Sequence, residues 1–282
     1  MPVPHKKKKL LALPANTQGK DYVVGDLHGC LEELLVALKE LEFNEATDRL
    51  FSVGDLIDRG PFSKECAELI YKPWFYAVKG NHEQMMIDAL IKGRTDMAAT
   101  WIWNGGQWMY DHDRGELVSL ARDLDFLPLV ITVGEGTDRF NIVHAELKHT
   151  EIINQHPQRV PVNDMMLAHW PFDSNEEADM IWGRTIVSNG REKIEQVPPH
   201  ELWHDMDKLS LTFVGHTPVR FPVQCQKQMY IDNGAVYHHT NSNKSEGNML
   251  VLACPSTKTV HAYSMVWKKI NNYTFDEIQK MG

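Results

Sequence analysis

The chain has 282 residues, of which 43% are hydrophobic and 24% charged, the balance of a globular protein rather than a disordered one. Lys and Arg total 29 against 38 Asp and Glu, so the formal net charge is −9, which argues against a protein that coats nucleic acid by bulk positive charge. No run approaches the roughly 18 apolar residues that a membrane helix needs.

The first 20 residues carry a lysine run and the short apolar stretch Leu10 to Leu13, which stops at Pro14. That stretch is too short for the core of a signal peptide, so residues 1–20 are expected to be a basic, solvated tail. The four cysteines form no CxxC pair and are too sparse for a disulfide framework. They read as reduced thiols, which points to the cytoplasm.

From residue 21 a regularity appears. Short apolar runs rich in Val, Phe, Tyr and Ile end in polar clusters: DYVV before GDLHG, LFSV before GDLIDRG, FYAV before KGNHE, FNIV before HAE, LTFV before GHT and MYI before DNGA. Runs of this kind suit strands buried on both faces. Between the first two lies Leu31 to Phe43, with Leu31, Leu34, Leu35, Leu38 and Leu41 at helical spacing. Strand, helix, strand within about 30 residues is the signature of a parallel crossover. The polar clusters therefore gather at the carboxyl ends of parallel strands, where active sites of such sheets lie. Residues 84–125 read as mostly helical. Residues 146–205 are polar and irregular, and both segments are expected to cap the strand edge. Residues 249–267 read as two strands around CPST, and 271–282 as a short helix or a C-terminal tail.

The donor types behind these runs are Asp26, His28, Asp55, Asn81, His144 and His216. Mixed oxygen and nitrogen donors suit manganese, iron or zinc better than magnesium or calcium. Six donors are too many for one open metal site and fit two metals sharing a bridging carboxylate, a clamp for in-line attack at phosphorus. Asp232 is a candidate to pin a ligand histidine, or else a turn residue. Trp101, Trp103 and Trp108 read as the core of the cap, and His238 and His239 as an exposed pair.

The ordered set VVGDLHGC, SVGDLIDRG, KGNHEQMMID, NGG, VHAE, WGR, GHTP and QMYIDNGAV resembles the phosphoprotein phosphatases of the calcineurin-like metallophosphoesterase family, among them small phage and bacterial enzymes. The similarity runs from about Val23 to about Val251. It implies an α/β fold of two mixed β-sheets packed as a sandwich, flanked by helices, with a partly helical cap on a single domain over 21–270. It implies that Asp26 and His28 hold one metal, that Asp55 bridges, and that Asn81, His144 and His216 hold the second. Manganese is the favoured ion. The resemblance further implies His82 as the general acid, Asp58 as its orienting partner, and Arg59 and Arg184 as the phosphate grips. Two positions depart from the family pattern: Glu146 stands in HAE where relatives carry HAD or HAG, and WGR stands where the phage relative has WNR.

The expected activity is hydrolysis of phosphoserine and phosphothreonine, with phosphotyrosine as an extension, by direct attack of a metal-bridging hydroxide without a phosphoenzyme. Phosphorylated proteins or peptides are the expected partners, in a bacterial cell or phage-infected host. The nearest rival is a symmetrical dinucleoside tetraphosphate hydrolase, whose usual motifs lack the aspartate of DRG and read GNHD. A nuclease is disfavoured by the net charge. A metal-binding interaction module without catalysis is disfavoured by His82, Asp58 and Arg59 standing beside all six donors.

Overall fold

The computed structural model describes residues 8–186 except 154 and 161, 208–240 except 226, and 248–281. Two six-stranded mixed sheets form its centre. In chain order the strands are β1 (Leu10–Leu13), β2 (Asp21–Val24), β3 (Arg49–Ser52), β4 (Phe75–Ala77), β5 (Val130–Val133), β6 (Phe140–Val143), β7 (His149–Ile153), β8 (His156–Val160), β9 (Leu211–Val214), β10 (Val223–Cys225), β11 (Gln228–Tyr230), β12 (Met249–Cys254), β13 (Thr259–Ser264) and β14 (Lys269–Thr274). One sheet runs β14-β13-β12-β2-β3-β4, and the other β1-β5-β6-β9-β11-β10. The β2, β3 and β4 strands are parallel, as the crossover pattern predicts.

Alternation along each strand explains the layers. Val23 and Phe51 point inward and meet Ile142, Phe213 and Met229 of the other sheet. Their neighbours Tyr22, Val24 and Leu50 point outward, against the helices. These are α1 (Leu31–Glu40), α2 (Ser63–Glu68), α3 (Asn81–Leu90), α4 (Thr95–Trp103) and α5 (Arg114–Leu124). The outer face of the second sheet carries α6 (Asp164–His169) and α7 (Ser174–Trp182), which bury Leu167 and Met180 against Val143, Val214 and Tyr230. The sandwich of two mixed sheets flanked by helices is the expected fold class.

Three local expectations need correction, and one open alternative is decided. Leu10–Leu13 is not solvated tail: it pairs in parallel with β5, and its alternating leucines pack on the sheet's two faces. A four-residue apolar run is long enough for an edge strand though too short for a signal peptide. The C-terminal stretch takes the helical of its two readings and not the tail. The β14 strand pairs with β13, and α8 (Phe275–Met281) buries Phe275 and Ile278 between the sheets. Within 146–205, the described residues form the β7–β8 hairpin, α6 and α7 rather than irregular chain. Residues 187–205 lie outside the described residues. Finally, Leu35 is 52% exposed, so α1 buries the narrower stripe Leu34, Ala37 and Leu38.

Candidate active site

The polar clusters converge where β2, β3 and β4 end and meet the ends of β6 and β9. Tight turns do the gathering. His28, Asp55, Asp58, Arg59 and His216 all have positive φ, between 43° and 76°. Each such non-glycine residue costs about 1–3 kcal/mol and persists only where surrounding structure enforces it. Gly54 has φ 99°, and a Cβ there would lie 2.8 Å from the Gly80 nitrogen, so the GDLIDRG and GNHE turns can touch only through glycine.

Two triads share one carboxylate. His28, Asp55 and His82 form the first, and Asp55, His144 and His216 the second, with the ligand atoms of each triad within 4.8 Å of one another. All five residues are buried. Asp55 Oδ2 lies 3.6 Å from His28 Nε2, and Asp55 Oδ1 lies 3.4 Å from His144 Nε2. Asn81 joins the second triad: its Oδ1 is 2.9 Å from His144 Nε2 and 2.8 Å from His216 Nδ1.

The ring orientations fit a metal. His28 Nδ1–H donates to the Ile57 carbonyl and His144 Nδ1–H to the Val53 carbonyl, both at 2.8 Å. Each ring thereby presents Nε2 with a lone pair, the usual arrangement of a ligating histidine. The lone pair of His144 Nε2 then faces the Asn81 carbonyl oxygen, two acceptors with no proton between them, which a cation resolves. Burial lowers the pKa of His28, His144 and His216, the last to about 3, which keeps the rings neutral and available. Burial also tends to raise Asp55, but the surrounding imidazoles His144, His82, His28 and His216 outweigh it and hold the carboxylate ionised.

Asp26 sits differently from the triads. Both its oxygens accept from the His216 backbone N–H, at 3.1 Å. Burial, then the neighbouring Asp232 and Asp55 carboxylates, push its pKa well up. Such crowding of buried carboxylates is costly unless a cation is shared. Among the described residues Asp232 has no hydrogen bond to a histidine ring; its Oδ1 accepts from Gly234 N–H at 2.8 Å, a turn interaction.

Asp58 is the most tightly held group. Its Oδ2 lies 2.5 Å from His82 Nδ1. Trp101 Nε1–H donates to it at 2.9 Å and Trp108 Nε1–H at 2.7 Å. The tryptophans are therefore more than cap core: two of them are hydrogen-bond donors to a buried carboxylate, and Trp103 is 88% exposed. Burial pulls the His82 pKa down, but Asp55 and Asp58 outweigh it, so His82 is raised above the ordinary histidine value. Arg59 reaches across the first triad, with Nη1 2.7 Å from His28 Nε2 and Nη2 3.0 Å from His82 Nε2. Arg184 flanks the second triad, where its Nη1 donates to Thr217 Oγ1 at 3.4 Å and its charge bears on His216 and His144.

Two acids carry roles that their motifs do not spell out. Glu83 accepts from the backbone N–H of Asp55, Leu56 and Gly80, tying two motif turns together. Its signal in the sequence is a Glu at the third position of α3, where it reaches back to the backbone N–H of the N-cap residue Gly80. Glu146, close to His144 in the chain, reaches a segment about 40 residues on. It accepts from the backbone N–H of Thr185 and Ile186 at 3.0 and 2.6 Å, fastening the segment that carries Arg184.

A family model described as calcineurin-like phosphoesterase matches residues 22–220. The chain belongs to this family. This phosphoesterase is 32% identical over 220 residues to serine/threonine-protein phosphatase 1 of Salmonella typhimurium, covering 77% of the chain and 87% of that relative. It is 43% identical over 72 residues to a symmetrical bis(5'-nucleosyl)-tetraphosphatase of Actinobacillus pleuropneumoniae, covering only 25% of the chain and 27% of that relative. The crystal structure of a candidate diadenosine tetraphosphatase superposes with a TM-score of 0.53 at 19% identity, over 94% of this chain and 97% of that one. At that identity the likeness speaks for the fold alone. Members of the family use divalent metals, and the donor set here fits them. No helix among the described residues is long and apolar enough to cross a membrane, and all four cysteines are buried.

Proposed function

We propose that this phosphoesterase is a metal-dependent serine/threonine protein phosphatase that also accepts phosphotyrosine. The observation that carries the reading is the buried Asp58–His82 pair, held by two indole N–H donors beside a carboxylate shared by two donor triads. Asp26, His28 and Asp55 would hold one divalent cation, and Asp55, Asn81, His144 and His216 a second, manganese being favoured by the mixed donors. When bound, such cations supply hydroxide at neutral pH and neutralise phosphate charge.

The chain's own residues do the rest. Arg59 and Arg184 approach from opposite triads and grip the phosphate oxygens as planar forks. Asp58 accepts the Nδ1–H of His82 and stabilises its imidazolium. Nε2 of His82 then carries the proton that goes to the departing serine or threonine oxygen. Four sparse cysteines with no CxxC pair fit a reducing compartment such as the cytoplasm. The long match to a phosphatase and the short one to a tetraphosphatase favour a phosphoprotein substrate.

The test is phosphate release with added manganese, comparing a phosphoserine peptide with diadenosine tetraphosphate. Peptide turnover is expected to dominate and to vanish in Asp55→Ala. Cleavage of the dinucleotide with the peptide inert would overturn the substrate class.

Two supporting groups yield expectations of their own. Trp108→Phe keeps a ring against Trp101 but deletes the donor on Asp58 Oδ1. A hydrogen bond to a charged group is worth about 1.5–3 kcal/mol. Turnover should fall about tenfold or more with metal content unchanged. Glu146→Gln removes a charge-assisted anchor of the Arg184 segment. There KM for the phosphoester should rise about tenfold, with kcat changed less. Steady-state kinetics on both variants check these expectations, and a pure kcat effect in Glu146→Gln would contradict the gripping role of Arg184.

A further inference from the structure

We propose that Cys30, Glu33 and His239 form a second metal site, for zinc or a comparable borderline-soft divalent ion, distinct from the catalytic pair. The three residues offer one sulfur, one carboxylate oxygen and one imidazole nitrogen, all within 4.8 Å of one another. A tetrahedral zinc ion with bonds of about 2.0–2.3 Å needs ligand separations of roughly 3.3–3.8 Å. Glu33 Oε1 and His239 Nε2 are hydrogen-bonded at 2.8 Å, so a bound ion would replace that bond, part the two atoms slightly and draw in the Cys30 sulfur, which lies within 4.8 Å of both.

Local structure presents these ligands together. Cys30 caps the N-terminus of α1 and Glu33 is its third residue, so both lie on one face. His239 follows the 3-10 helix Ala235–His238, and its Nε2 lies 2.8 Å from Glu33 Oε1. The other Glu33 oxygen, Oε2, is buried with no hydrogen-bond partner among the described residues, and so is Nδ1 of the adjacent His238. An orphaned buried carboxylate oxygen is expensive, and a cation held by Glu33 would satisfy it. A cleft of about 600 Å³ bounded by Glu33, His238 and His239 gives an ion a route from solvent.

The donor chemistry separates the two centres. The catalytic donors are oxygen and nitrogen only, whereas this set adds a thiol, which selects zinc over manganese or magnesium. An ion here would tie the start of α1, two residues beyond His28, to the segment that follows Asp232. It would thereby brace the shoulder of the catalytic cluster that carries Asp26 and His28.

Cobalt(II) titration of the full chain tests this. Only a sulfur ligand yields an intense sulfur-to-cobalt charge-transfer band, so the catalytic donors cannot produce one. The band is expected in the wild type and in Asp55→Ala, and lost in Cys30→Ser and His239→Ala. Because Cys30 is buried, His239→Ala at the cleft rim guards against a folding artefact. Equilibrium dialysis should find one zinc ion fewer per chain in His239→Ala. A wild type without the band, or a band that persists in His239→Ala, overturns the proposal. Neither readout depends on which phosphoester is hydrolysed.

Discussion

Asp55→Ala is expected to abolish metal-dependent turnover while leaving the chain folded. Asp55 belongs to both triads, so its loss removes a donor from each. Charge stabilisation by catalytic metals is worth several kcal/mol. At 1.36 kcal/mol per decade, the loss should reach about 10³-fold in kcat. Folding should survive because the substitution relieves carboxylate crowding: Asp55 is among the neighbours that push Asp26 and Asp232 up. The second readout is thermal. Binding to the folded state alone stabilises by mass action, so added manganese should raise Tm in the wild type and much less in the variant. Unchanged turnover in Asp55→Ala would remove the two-metal reading altogether.

For His82→Asn the expected result depends on the leaving group. An aligned general acid contributes typically 10²–10⁴-fold. The rate on a phosphoserine peptide should fall by about that factor, because an alkoxide leaves poorly without a proton. The rate on an aryl phosphate should fall far less, because a phenolate with electron-withdrawing substituents leaves unprotonated. Metal content separates this role from ligation. His82 lies in the first triad, with Nε2 3.9 Å from Asp55 Oδ2, so the geometry also permits it to bind a cation. A general acid leaves metal content intact and splits the two substrates. A ligand would lower metal content and depress both substrates alike, and that outcome would reassign the residue.

Much of this molecule is legible in the linear chain because its chemistry lies at strand ends. A strand buried on both faces must be continuously apolar, so the point where polarity returns marks the sheet edge. Asp26, His28, Asp55, Asn81, His144 and His216 could be picked out by that rule alone, and the helical leucine spacing after His28 placed β2 and β3 in parallel. Short elements escaped the same rule. Four residues at Leu10–Leu13 carry too little periodicity to distinguish an edge strand from a tail. The polar, half-exposed pattern of β14 gives no sign that Phe275 and Ile278, just beyond it, enter the core.

Strand-end polarity in this chain marks parallel strands and candidate donors, and the motif order carries the family resemblance that implies the two-sheet fold and its chemistry, since these are local residue patterns. Long-range contact assigns the partners. Trp101 and Trp108 read as apolar filling until the fold brings their N–H groups onto Asp58, 43 and 50 residues away. Glu146 reads as a neighbour of His144 until Thr185 and Ile186, about 40 positions on, bring their amides to it. Cys30 and His239 are read singly as a buried thiol and a surface imidazole; they become neighbours because the segment after β11 packs back over the start of α1. Hydrogen bonds and shared charges between residues so distant in the chain leave no periodicity to read, because each is fixed by packing geometry rather than by the residues on either side.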